Sequence, residues 1–330
     1  MVSIICPIYN EERFIETCIQ SVLNQDLPAG SWELLLVDGG STDRTRQLMQ
    51  PYVEQYANIH LLDNPHRTAP YAMNIGIREA KGEYICRMDA HSSFPANYVS
   101  TLMRYLNELP NAANVGAVCS TIPANNSTIA KAISIACQHP FGVGNSAFRT
   151  TTINKPIQTD TVPFGFWRKS LFDTVGYFNE MLTRNQDDEF NARIIQQGGK
   201  VYLVPELSVT YYARDTIDKT AQMFYQYGLF KPLVNKQLKR PATIRQFVPL
   251  AFLVGLIVGF PLAFLHPVML YVYCAYVMSY VLSLTGIAIY YRNMYLPVVF
   301  ATIHFSYGWG YITGIGKLLM KRPFNVEINR

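Results

Sequence analysis

Glu83-Tyr84-Ile85-Cys86-Arg87-Met88-Asp89-Ala90-His91 is a largely apolar run that ends abruptly in Asp-Ala-His. The pattern predicts a buried strand delivering a carboxylate and an imidazole to its C-terminal end. In open α/β sheets, ligands sit in the crevice at those strand ends. Asp89 and His91 lie two apart, so an extended backbone turns both side chains to one side. A hard divalent cation bridging a diphosphate takes oxygen or imidazole ligands and leaves positions open for phosphate oxygens. Taken alone, Asp-x-His reads as a strand followed by a polar loop, and only the surrounding chain gives it weight.

Upstream, Val2-Ser3-Ile4-Ile5 is an apolar run closed by Cys6-Pro7, a strand expected to end at the proline. Asn10 is placed to cap a helix whose apolar positions are Phe14, Cys18, Ile19, Val22 and Leu23. Trp32 to Val37 is a second strand, and its continuous Leu34-Leu35-Leu36-Val37 run suits a parallel strand covered on both faces. It ends in Asp38-Gly39-Gly40, with Ser41 or Thr42 expected to cap the next helix. Ile59 to Leu62 forms a third strand, and Pro70 opens a helix that runs to Ala80 and stops at Gly82. Strand and helix alternate, which implies a mostly parallel sheet with flanking helices, an α/β fold. Three strand ends then carry polar residues: Pro7 to Glu11, Asp38 to Ser41, and Asp89 to His91. Together they outline a nucleotide site, with Tyr9 and Asp38 at a base and the last pair at metal and diphosphate.

Four motifs in this order resemble the inverting family 2 glycosyltransferases. They are Pro7-Ile8-Tyr9-Asn10-Glu11, then Val37-Asp38-Gly39-Gly40-Ser41-Thr42-Asp43, then Asn74-Ile75-Gly76 with Ala80-Lys81-Gly82-Glu83-Tyr84, then Asp89-Ala90-His91. The Asp-Ala-His variant and Pro140-Phe141-Gly142-Val143-Gly144-Asn145 bring the chain nearer still to the succinoglycan-type exopolysaccharide glycosyltransferases. The resemblance covers about residues 2–227. It implies a GT-A type fold and a UDP-sugar donor: Pro7, Tyr9 and Glu11 flank the uracil, Asp38 bonds its edge, and Arg67 is a weaker nucleotide candidate. It places Asp89 at the ribose or metal and His91 at the metal. His91 stands where many members have a second aspartate, and an imidazole slightly favours Mn²⁺ over Mg²⁺, so the choice between the two stays open.

Asn185-Gln186-Asp187-Asp188-Glu189 opens a helix closed by Gly198-Gly199. Three acids there are also what favourable charge at a helix N-terminus looks like. In the family such a segment carries the catalytic base. By that spacing Asp187 is the base, Gln186 replaces the usual Glu, Glu189 and Arg193 support it, and Asp188 is the competing assignment. An acceptor hydroxyl is a poor nucleophile until a base within reach takes its proton. Trp167, in an acceptor-side segment, either stacks on a sugar ring or fills the core. Gly142-Val143-Gly144-Asn145-Ser146-Ala147 matches a dinucleotide pattern, but it follows no strand and no acidic residue follows at the right spacing. It is expected to be a flexible loop near the sugar or acceptor.

The 330 residues carry a net charge of +5, and 49% are hydrophobic. From about Phe247 charges almost vanish. Segments 247–265 and 268–291 are each about long enough for a ~30 Å hydrocarbon layer, and 295–316 is a weaker third. The expected organisation is a glycosyltransferase domain over 1–215, a basic, aromatic interfacial helix region over 216–245, and a membrane region over 246–330. The cations of the interfacial region suit anionic lipid, and nothing else in the chain supports nucleic acid. Six scattered cysteines without a Cys-x-x-Cys pair suit a reducing compartment. With Met1 leading directly into a strand pattern, the front domain is expected on the cytosolic face of a cytoplasmic (inner) membrane, in a multi-pass protein. Loop charges favour two spans with the third segment re-entrant or interfacial, or three spans that break the positive-inside tendency. Processive synthases of the superfamily carry Gln-x-x-Arg-Trp where this chain has Gln226-Tyr227-Gly228-Leu229-Phe230, so single additions are expected.

The expected activity is therefore metal-dependent inverting transfer of a hexose from a UDP-sugar to a lipid-linked saccharide during exopolysaccharide or surface polysaccharide synthesis. The alternatives are transfer to a polyprenyl phosphate, and a non-catalytic membrane-anchored nucleotide-sugar-binding protein.

Overall fold

The computed structural model describes residues 1–151 and 153–324. The strands are β1 (Val2–Ile8), β2 (Trp32–Asp38), β3 (Ile59–Asp63), β4 (Tyr84–Arg87), β5 (Ser92–Ser93), β6 (Ala112–Ile122), β7 (Ile157–Thr159), β8 (Phe166–Arg168) and β9 (Lys200–Tyr212). The helices are α1 (Ile15–Leu23), α2 (Thr45–Gln55), α3 (Ala69–Glu79), α4 (Tyr98–Glu108), α5 (Thr128–Ala136), α6 (Pro140–Val143), α7 (Ala147–Thr150), α8 (Leu171–Val175), α9 (Gln186–Gln196), α10 (Ile217–Leu238), α11 (Val248–Leu262), α12 (Pro267–Tyr290) and α13 (Leu296–Leu319). Two compact units result. The first joins Met1–Ser120 to Ala147–Tyr211, and the second joins Thr121–Ser146 to the chain from Tyr212 onward.

In the first unit the strand order begins β3-β2-β1-β4, all parallel, and continues through β8, β6, β9 and β5. The β4–β8, β6–β8, β5–β9 and β7–β9 pairs are antiparallel. The parallel order read from the alternation thus holds for the first four strands, and the later strands extend the sheet through antiparallel pairs. Alternate residues of each strand serve opposite faces, as a period of two requires. Ile4, Cys6, Leu34 and Leu36 pack with Ile19 of α1 and Leu102 of α4, while Ile5, Leu35 and Val37 pack with Met73 of α3 and Phe190 of α9.

Two expectations at the strand ends change. β1 continues through Pro7 to Ile8. A proline lacks an N–H for a ladder on both sides, but the β1–β4 pairing stops at Ile5↔Arg87, so at Pro7 the strand is paired on the β2 side alone. Asn10 caps no helix, since α1 begins at Ile15. Its backbone is left-handed, at φ 55°, and its side-chain oxygen accepts the Thr42 N–H instead.

In the second unit, α5, α6, α10 and α13 share a core that includes Ile133, Phe141, Phe224, Val299, Phe300 and Ile303. By length and composition two helical stretches could cross a membrane, Arg245–Leu262 and Pro267–Tyr290. Only Leu253 of α11, and Leu284 and Ala288 of α12, are buried. In α10 the run from Gly228 to Val234 is buried, Lys231 included, while Lys219, Lys236, Lys239 and Arg240 are exposed.

Candidate active site

β1, β2 and β4 are neighbours and parallel, so the three polar strand ends meet at one edge of the sheet. The register sets Ile8 opposite Asp38 and Asp38 opposite Asp63. The loops after β1 and β2 are laced together. The Asn10 N–H donates to Ser41 Oγ, the Glu11 N–H to Thr45 Oγ1, and the Glu12 N–H to Asp43. This lacing explains why neither Ser41 nor Thr42 caps a helix: α2 starts only at Thr45, whose N–H donates to Asp43 Oδ1.

Asp38 is fully buried. It accepts from the Ser41 N–H and hydroxyl, and from Arg46 Nη1 at 3.0 Å. Arg46 also reaches Asp63 at 2.6 Å. The carboxylate expected at the base edge is thus already oriented by its own loop. Beside it Gly39 meets the backbone of Arg67, and the Arg67 guanidinium lies 5.8 Å from the centre of the Tyr9 ring. The structure therefore gathers Pro7, Tyr9, Asp38 and Arg67 at one edge of the sheet.

The β4 end carries a feature that the sequence reading passed over. Arg87 is 5% exposed. Its Nε and Nη2 donate to the two oxygens of Asp89 at 2.7 and 3.0 Å. Its Nη1 donates to Asp187 Oδ1 at 2.7 Å. One guanidinium therefore holds together two carboxylates about a hundred residues apart in the chain, a bidentate grip plus a single bond. Burial alone would lower the arginine pKa, but Asp187 and Asp89 hold it above its ordinary value. Asp187 stands in the first turn of α9 with its side chain 29% exposed. Desolvation pushes its carboxyl up to about 6; Arg87 opposes that rise, and Asp89 and Asp188 add to it.

α9 is braced from behind. Glu189 grips Arg193, which donates onward to the carbonyls of Val175 and Tyr177. Asn191 exchanges bonds with Asn114 and Thr161, and Asn114 accepts the Phe166 N–H. Asn114, an amide inside an apolar segment, and Asn191, one polar residue in a charged helix, gave no signal in sequence. Trp167 resolves to the core reading. It is 2% exposed, with its ring 5.9 to 6.0 Å from those of Phe172, Phe178 and Phe190. The Gly142–Ala147 segment is short helix on either side of Gly144, whose φ is +63°.

His91 Nδ1 lies 3.6 Å from Glu11 Oε1. Among the described residues no three His, Cys, Asp or Glu side chains group to hold an ion. Asp89 and His91 therefore offer at most one or two protein ligands to an ion. Mg²⁺-type sites at transferring phosphates are built that way. This donor set does not fit a resident, fully caged metal.

The family model described as Glycosyl transferase family 2 matches residues 3–176. The chain is 30% identical over 243 residues to the Methanococcus voltae "Dolichyl N-acetyl-alpha-D-glucosaminyl phosphate 3-beta-D-2,3-diacetamido-2,3-dideoxy-beta-D-glucuronosyltransferase", covering 72% of this chain and 74% of that protein. It is 29% identical over 253 residues to succinoglycan biosynthesis protein ExoA of Rhizobium meliloti, covering 75% and 74%. Among solved structures, the mannosyltransferase PcManGT of Pyrobaculum calidifontis, in complex with GDP-Man and Mn²⁺, superposes with a TM-score of 0.59 at 17% identity, over 97% of this chain and 87% of that one. That likeness speaks for the fold.

Proposed function

The chain belongs to glycosyltransferase family 2, and on that premise we propose that it is a membrane-bound inverting enzyme moving one hexose from a UDP-sugar to a lipid-linked saccharide. The observation that carries this reading is the Arg87 clamp, which fixes a donor-side carboxylate, Asp89, against a partly desolvated carboxylate suited to act as base, Asp187. The names of the two relatives, one acting on a dolichyl-linked sugar phosphate and one in succinoglycan biosynthesis, support the acceptor class.

Asp38, Tyr9, Pro7, Glu11 and Arg67 bind and orient the nucleotide at the strand edge. Asp89 and His91 would hold a Mn²⁺ or Mg²⁺ ion, which when bound supplies positive charge to the departing diphosphate. Asp187 takes the proton of the acceptor hydroxyl, and a carboxyl of pKa about 6 is well matched to that task near neutral pH. The hydroxyl oxygen bonds to the anomeric carbon as the bond to phosphate breaks. The centre is oxocarbenium-like in between, as in glycoside hydrolysis. A single displacement inverts the centre, and no covalent sugar–enzyme bond forms. α11 and α12 supply the membrane anchor, in a cytoplasmic membrane with the catalytic unit on the cytosolic side.

The test is nucleoside diphosphate release by the detergent-purified full chain. Donors would be UDP- and GDP-sugars, with and without Mn²⁺ or Mg²⁺, and a lipid extract would supply acceptors. Release from one UDP-sugar that requires lipid-linked saccharide and disappears in Asp187→Asn is the expected result. Product on bare polyprenyl phosphate would move the acceptor. Release indifferent to Asp187→Asn would overturn the assignment of the base.

A further inference from the structure

Within the second unit, α13 is the third long apolar helix, yet its surroundings differ from those of α11 and α12. Its N-terminal half is seated on the α5–α6 segment. Asn293 donates to the Thr128 carbonyl, Phe300 meets the His139 and Phe141 rings, and His304 Nε2 lies 2.7 Å from the Phe141 carbonyl oxygen. Its C-terminal half is seated on α10 at glycines. A Cβ on Gly228 would strike the Tyr307 carbonyl, one on Gly310 the Tyr225 carbonyl, and one on Gly314 the Leu229 carbonyl. Backbones this close are helices in direct contact. α13 also meets the first turns of α11, where a Cβ on Gly308 would strike the Pro249 carbonyl, and His304 Nδ1 lies 2.8 Å from the Tyr280 hydroxyl of α12. α13 therefore runs level with α5, α6, α10 and the start of α11.

Of these, α5 and α10 do not suit a hydrocarbon layer. α5 has nine residues, roughly 14 Å at 1.5 Å each, and follows exposed Asn125 and Asn126. α10 carries Asp218, Lys219, Gln226, Lys231 and Lys236 within 22 residues, and charged groups at membrane depth are expensive. The opposite face of α13 is a different surface. Val298, Phe305, Trp309 and Leu319 form one exposed apolar stripe, and Trp309 is 56% exposed. Lys317 lies in the last turn of the helix, and Lys321 and Arg322 follow it. An apolar stripe with an indole at its middle and cations at its end is what lies along a lipid headgroup layer.

We infer that α13 lies in the plane of an anionic phospholipid surface rather than across it, so the chain beyond α13 stays on the side of Lys239 and Arg240. This rests on the membrane reading given above and adds which helix touches lipid from one side only.

Depth tells the alternatives apart, because Trp309 is near the middle of α13. The full chain would be reconstituted in phosphatidylethanolamine–phosphatidylglycerol vesicles containing lipids brominated either near the headgroup or near the chain end. The Trp309 signal would be isolated by subtracting the Trp309→Phe variant. An interfacial helix loses more emission to the shallow bromines. A spanning helix places the indole near the midplane and loses more to the deep ones, which would overturn the inference while leaving the membrane reading intact. No loss to either would overturn both. A second measurement uses impermeant maleimide on sealed inside-out vesicles, in a Cys274→Ala background, because the other five cysteines are buried. Lys321→Cys and Arg240→Cys are expected to label together, and protection of Lys321→Cys alone contradicts the placement.

Discussion

The two units handle apolar side chains in opposite ways. All seven residues of β1 are buried, and helices cover both faces of the parallel strands. In the second unit, α11 and α12 are as apolar as any strand and present nearly all of it outward. Hydropathy says only that a residue avoids water. What separates the units is polar punctuation. β2, β3 and β4 run into a carboxylate or arginine at their C-terminal ends: Asp38, Asp63, and Arg87 followed by Asp89. α11 and α12 have none along their length. The first pattern gathers polar groups at one edge of the sheet, and the second leaves apolar helices long enough to cross a membrane.

If chemistry resides in the first unit and anchoring in the second, changes in one should leave the other untouched. The largest effect is expected from Asp187→Asn. Loss of a general base removes about 10²–10⁴-fold in rate, and turnover by nucleotide release should fall at the upper part of that range while co-flotation with vesicles is unchanged. Loss of flotation would break the comparison. Next is Arg87→Met, expected to lower turnover by about 10²-fold and to destabilise the unit, since the buried Asp89 and the half-buried Asp187 lose their partner. If Arg87 acts through the base, adding Arg87→Met to Asp187→Asn should lose little further turnover; a full multiplicative loss would show an independent role.

A smaller effect is graded with pH. The raised pKa of Asp187 means the base is protonated below about 6, so turnover should fall about tenfold per unit below that value and level off above it. The same shift makes protonation more favourable folded than unfolded, so this group's contribution to stability declines as pH rises from about 4 to 6. Flotation should be flat over that window. The smallest effect falls on the other side of the comparison. Gly310→Ala, whose new Cβ would meet the Tyr225 carbonyl, should cost about 1–3 kcal/mol. It should lower the thermal midpoint of the protein in detergent and leave nucleotide affinity as it was.

The parallel half was legible because its signals are local. Leu34 to Val37 followed by Asp38 states a strand, its burial and its polar end within five residues. Asp187, the proposed base, stood out only through the family resemblance and its spacing to Glu189 and Arg193, with Asp188 as the competing assignment. Arg87 was not legible, because inside Tyr84–Met88 it reads as one more strand residue and its second partner lies on α9. The antiparallel extension was hidden for another reason: β7 and β8 have three residues each, too few for a period to register. Asn10 misled because Asn before two glutamates looks like a helix cap, and only the fold brings Thr42 within reach of it. Trp167 allowed two readings, and the aromatic cluster of Phe172, Phe178 and Phe190 decided between them.

At Gly39 three stretches of backbone converge. A methyl group there would lie 3.1 Å from the Arg67 Cα, and 3.2 Å from the carbonyl oxygens of Arg67 and Ile8. Seen as a constraint on descent, the end of β1, the start of the loop after β2 and the turn at Arg67 cannot drift separately. Any lineage that enlarges residue 39 must shift the other two in the same step, so this edge of the sheet is inherited as a single character.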